Sequence, residues 1–213
     1  MKLSDIPRIL LILFPSILIL GFVVLLTFFT SHNIHDLVQD IATTAKVHPM
    51  VGILNNLGII LWTSSAAVCF FSALTLRRNL SGRFHAFFLS SGLLSAYLLL
   101  DDMFLFHEFI APINMGIDQN VIFLVLLVAV FAYLTAFYNL ILKTNYVYLL
   151  ISGAFLAGSL FVDVFLYESL QEKIGLWEHF IEDSFKWLGI VFWFTYFADT
   201  AYHSFIGPVP DKK

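Results

Sequence analysis

The stretch FHAFFLSSGLLSAYLLLDDMFLFHEF, residues 84–109, decides how the rest of the chain is read. From Phe84 to Leu100 it has no Asp, Glu, Lys or Arg, and it then ends in Asp101, Asp102, His107 and Glu108. A helix of that length crosses a bilayer. Ionised groups at its end are costly in hydrocarbon unless they are paired or bound to a metal. A second apolar segment ends in a similar way, at Asp163-Val164-Phe165-Leu166-Tyr167-Glu168. Ser91–Glu108 aligned on Ser152–Ser169, at a constant offset of 61, matches Ser-Gly, an Ala, a Leu, the Asp and the following Phe-Leu. This pattern reads as a decayed internal duplication.

Composition extends the reading to the whole chain. The 213 residues are 60% hydrophobic and 12% charged, with a mean hydropathy of +0.88. That leaves too little polar surface to cover a soluble globule. Long apolar runs between short polar breaks predict an all-α polytopic membrane bundle and not a barrel. Six spanning helices are expected, over about 9–29, 50–76, 84–109, 120–142, 146–168 and 176–205, in a single integral membrane domain covering 1–213. The first run is too long for a signal peptide core and is read as retained, with Pro15 kinking it. Residues 31–46 place Ile34, Leu37, Val38, Ile41 and Ala45 at helical spacing, which predicts one amphipathic helix lying at the membrane surface. Ala111-Pro112-Ile113-Asn114 reads as a turn, and a loop bearing Glu and Lys is expected after helix five.

Charge placement orients the bundle. Lys2, Arg8, Arg77, Arg78, Arg83, Lys143, Lys212 and Lys213 fall on the terminal side, against Lys46 and Lys173 on the other. The positive-inside rule then makes both termini cytoplasmic, in what reads as a bacterial inner membrane. Most acids lie on the opposite side. Helices three and five run parallel, so the duplication implies a two-helix repeat about an axis along the membrane normal. The lone cysteine, Cys69, excludes an internal disulfide or a Cys-based zinc site within one chain.

The candidate site follows from stripes on helices three, five and six. Asp102, His107, Glu108, Asp163, His179, Glu182 and Asp183 are the expected metal ligands, while Asp101, Glu178 and Lys186 are the candidate catalytic groups. At about 1.5 Å per residue, Asp101, Asp102, Asp163, Glu182 and Asp183 lie roughly 9–14 Å below the outer surface, with His107, Glu108, Glu168, Glu178 and His179 in a shallower layer. Carboxylates with one or two imidazoles suit a divalent metal, namely Zn, Fe or Mn. On a continuous helix His107 would lie about 120° from the face of Asp101 and Glu108. Lys186 reads either as a functional amine or as the counter-ion of Asp101, Asp163 or Glu182.

The leading expectation is therefore a metal-dependent membrane enzyme, a hydrolase or oxidoreductase, acting on a lipid or other amphiphile from the outer leaflet. A hydrated vestibule, a proton- or cation-coupled transporter and a subunit of a larger membrane complex compete with it. The expected partners are membrane lipid and other chains within the membrane, a second copy included. No nucleic acid is expected.

Overall fold

The computed structural model describes residues 6–30, 33–76, 82–175 and 177–206, and these are helical with no strand among them. The chain divides into two compact units, Met1–Ile53 and Leu54–Lys213. The basic stretch 77–81 and the C-terminal residues 207–213, which enter the orientation argument, lie outside the described residues.

In the first unit, α1 (Ile6–Phe29) is a continuous helix with Pro15 inside it. Beyond it the expected amphipathic helix is split into α2 (Ile34–Val38) and α3 (Ile41–Ala45). Asp40 causes the break. Its backbone is extended and its carboxylate accepts the Thr43 N–H at 2.8 Å, so it starts a second helix instead of continuing the first. Asn33 and Asp36 form a capping box on α2 in the same manner. Neither short helix buries a residue.

The second unit holds α4 (Ile53–Leu76), α5 (Gly82–Phe104), α6 (Gln119–Ile141), α7 (Val147–Phe161), α8 (Tyr167–Ile174) and α9 (Trp177–Ile206). A π-helix follows α5 at Phe106–Asn114, and a second follows α7 at Val162–Leu166. Four segments are long and apolar enough to cross a membrane: Ile53–Leu76, Gly82–Phe104, Gln119–Ile141 and Val147–Leu166. Their outer faces are apolar and exposed, as at Leu124, Leu127 and Phe131 on α6, which is the surface that lipid would cover. α9 is longer, but Glu178, Glu182, Asp183 and Lys186 crowd its first third.

Aromatic and small residues set the packing. Phe87, Phe88, Tyr196 and Phe197 are fully buried, and Trp62 meets Trp193 edge to face at 5.7 Å between ring centres. α7 and α9 pack along their length because Gly189 and Gly158 leave room. A Cβ on Gly189 would lie 2.7 Å from Leu156 side-chain atoms and 3.1 Å from its backbone nitrogen. Ser152 seals this contact by donating to the Gly189 carbonyl at 2.8 Å. Gly92 makes the same kind of room on α5 for the Phe70 ring.

The ends of α5 and α7 depart from the sequence expectation. Helix three does not run to residue 109. It stops at Phe104, and Leu105 takes left-handed dihedrals, φ 51 and ψ 47. The Leu105 carbonyl then accepts N–H groups from both Phe109 and Ile110, opening the wider π ladder. Pro112, expected in a turn, sits inside that π-helix. It has no N–H to give an α ladder, and the wider turn accommodates its ring. Helix five likewise leaves α geometry at Val162, and the expected loop after it is α8. Its Glu, Gln, Leu and Lys are good helix formers, and Gly175 at φ 59 ends it.

Candidate functional site

Asp101 and Asp102 are consecutive in the last turn of α5, so their side chains diverge by about 100° and meet different neighbours. Both are buried, at 8% exposure. Asp102 receives Lys186 Nζ of α9 on one oxygen at 2.6 Å and the Trp62 indole N–H of α4 on the other at 2.8 Å. Three helices are tied at one carboxylate. The sequence reading assigns Asp102 to a metal and Lys186 to Asp101, Asp163 or Glu182. In the structure the two are each other's partner.

Asp101 is bound by the reversed chain beyond Leu105. The His107 backbone N–H donates to Asp101 Oδ1 at 3.1 Å, and His107 Nδ1 lies 2.6 Å from Oδ2. Nε2 of the same ring lies 3.4 Å from Glu108 Oε1. The expected 120° separation of His107 from Asp101 and Glu108 fails because the helix breaks between them. Burial disfavours the charged imidazole, but hydrogen bonds with Asp101 and Glu108 outweigh it and hold the pKa up at about 9. The same contact holds the Glu108 carboxyl below its usual range. Phe123 of α6 stacks obliquely on the His107 ring at 4.9 Å.

The first turn of α9 supplies the other group. Glu178, His179 and Glu182 offer ligand atoms that all lie within 4.8 Å of one another. The i, i+4 spacing puts the two glutamates on one face. Glu178 is fully buried, and among the described residues neither of its oxygens has a hydrogen-bond partner. His179 Nδ1 lies 3.1 Å from Glu178 Oε2, within ion-pair distance but without hydrogen-bond alignment. His179 itself is exposed and packs near the Tyr167 ring at the start of α8, 5.9 Å between centres.

Asp163 is half-buried in the second π-helix. It lies within electrostatic reach of His107 and Glu108 on one side and of His179 and Lys186 on the other. Glu182 is in reach of Asp163, Asp183, Glu178 and Lys186. Asp183, on the exposed side, is in reach of Lys186, His179, Asp102 and Glu108. The residues singled out from the sequence thus form contacts around Asp101, His107 and Glu108, around Asp102 and Lys186, and around Glu178, His179 and Glu182, with Asp163 and Asp183 within electrostatic reach of them. The reading missed Trp62, whose only signal is an indole N–H in an apolar helix that needs an acceptor. At the other helix ends, His85 and His203 approach backbone carbonyls of Ala73 and Asp199.

These features define a class: a protein helical throughout its described residues, with four helices long and apolar enough to cross a membrane and a partly buried cluster of carboxylate and imidazole where α5, α7 and α9 meet. Within that class the chain belongs to the family described as Domain of unknown function (DUF8692), which matches residues 10–200. No curated protein and no solved structure matches it.

Proposed function

We propose that the chain is a polytopic membrane metalloprotein that binds a divalent cation through Glu178, His179 and Glu182, and that it serves as a metal-dependent enzyme on a lipid or other amphiphile. One observation carries this reading. Among the described residues Glu178 presents a fully buried carboxylate with neither oxygen hydrogen-bonded, next to an imidazole 3.1 Å away and a second carboxylate. A buried anion without a donor is strongly disfavoured, and a cation at that point removes the penalty.

Two carboxylates and an imidazole suit Zn, Mn or Fe. Three protein ligands are also the pattern of sites that keep a coordination position open for water or substrate. A metal there would supply a water of lowered pKa or a Lewis acid. Exposed Trp177, Phe180 and Phe165 offer apolar surface near the site for an acyl chain.

The fuller topology is part of the same proposal: α1 and α9 cross as well, giving six spans, with the acid–histidine layer at the outer face and both termini cytoplasmic. Elemental analysis of the full chain, purified in detergent without chelators, tests the cation. Wild type is expected to retain Zn, Mn or Fe, and Glu178→Gln/Glu182→Gln is expected to lose at least one equivalent. Asp102→Asn, whose side chain is committed to Lys186 and Trp62, should keep it. A metal-free wild type would sink the reading.

A further inference from the structure

We propose that the end of α7 and the start of α9 form a membrane-interface anchor, in which Phe165, Trp177 and Phe180 sit at the boundary between the headgroups and acyl chains of the outer leaflet and hold Glu178 and His179 at headgroup depth. Resting on the cation reading, this narrows the amphiphile to a lipid whose reacting bond lies at its headgroup end. The anchor itself needs no metal.

The start of α9 has two faces. At 100° per residue, Glu178, His179 and Glu182 fall within about 100° of one another, while Trp177 and Phe180 fall within about 60° on the other side. Trp177 and Phe180 are 69% and 57% exposed, and their rings meet edge to face at 5.7 Å. Beside them, at the end of α7, Phe165 is 70% exposed and pairs with the Phe161 ring at 5.3 Å. Two pairs of large rings are thus turned outward on the two elements that also carry Asp163 and the three cation ligands.

The rings and the ligands share a level. Gly158 of α7 faces the Phe185 ring of α9, and Ser152 reaches Gly189, so the two helices run antiparallel. Counted outward from Gly158 and Phe185 at about 1.5 Å per residue, Phe180 lies roughly 8 Å out, Phe165 roughly 10 Å and Trp177 roughly 12 Å. Glu178 and His179 lie roughly 9–11 Å out on the same count, with Glu182 one turn deeper.

Continuity names the occupant of this surface. Val147–Leu166 is one of the segments long and apolar enough to cross a membrane, and none of its exposed residues from Val147 to Phe165 is polar. Beyond Phe165 the exposed surface changes within two turns to Gln171, Glu172 and Lys173 of α8. An apolar face that ends in rings and then passes to charge is the profile of a bilayer interface, where an indole keeps its ring in the acyl boundary and its N–H among headgroups. A protein partner would follow one helix along its length, whereas these rings are gathered by depth.

Fluorescence quenching tests the anchor. The full chain is placed in phosphatidylcholine bilayers that carry bromine near the headgroup end or near the tail end of the acyl chains, and the difference between wild type and Trp177→Phe isolates Trp177 from the other tryptophans. Bromine near the headgroups is expected to remove most of the Trp177 emission, with a smaller loss from tail-end bromine and little from aqueous iodide. Stronger quenching by tail-end bromine would overturn the depth and with it the headgroup assignment. Quenching by iodide alone would show that water covers the face, and quenching by none of the three would show that protein, such as a second copy, covers it; either result overturns the anchor. Because the readout requires no cation, a metal-free protein that gives the expected pattern would sink the cation reading and leave the anchor standing.

Discussion

At the scale of single residues, two adjacent aspartates have different partners, and each pairing has a measurable consequence. Lys186 and Asp102 form a largely buried ion pair, so removing one partner strands the other. Lys186→Met is expected to destabilise the bundle by about 3 kcal/mol, at the low end for a broken buried pair because the lysine is partly exposed. Lys186→Met/Asp102→Asn should recover most of that loss, and thermal unfolding in one detergent measures both. His107 gives a pH signature. Its folded-state pKa, about 9, lies above the ordinary 6.5, so its stabilising contribution is full below about pH 6.5 and is lost as the pH rises through about 9. In metal-free protein, the unfolding temperature of wild type should therefore fall between pH 7 and 10 by more than that of His107→Gln. Equal slopes would show that the Asp101–His107 contact does not form.

Helices and their ends decide how these residues meet. The α7–α9 contact depends on Gly189, where a methyl group would collide with Leu156 side chain and backbone alike. Gly189→Ala should cost about 1–3 kcal/mol through forced separation of the helices, whereas Gly153→Ala, with open space around it, should not. A lower unfolding temperature for the first substitution alone is the expected result. The two π-helices matter in a different way. Both fall near the ends of the two segments aligned at an offset of 61, one just after Asp102 and one around Asp163. There the wider turns redirect side chains that a continuous α-helix would point elsewhere.

For the whole molecule, the proposal places the acid–histidine layer on one side of the membrane and the Lys143 turn on the other. In a Cys69→Ser background, Met115→Cys should react with a membrane-impermeant maleimide added to intact cells, and Lys143→Cys only after permeabilisation. Met115 is exposed beyond the first π-helix, and Lys143 follows the end of α6, so both are accessible to reagent. Labelling of both positions from one side would refute the assigned orientation of α6.

The sequence by itself determined the helical class with helices long and apolar enough to cross a membrane, because apolar runs of bilayer length have few other uses. It also drew attention to the ionisable residues at the ends of these runs, since charge there must be offset. Their pairing was decided only by the tertiary structure. Which of Asp101 and Asp102 meets Lys186 depends on how α5 is rotated against α9, and that follows from glycine and aromatic contacts distributed along both helices. The capture of His107 by Asp101 depends on one left-handed residue, Leu105, that no hydrophobic periodicity announces. The break at Asp40 and the helical course of α8 are set by local capping and propensity, which a reading based on apolar pattern weighs too lightly. The buried Glu178, the strongest pointer to a cation, looks in sequence like any acidic residue at the start of a helix. Only the packing around it buries it and leaves its oxygens without a hydrogen bond among the described residues.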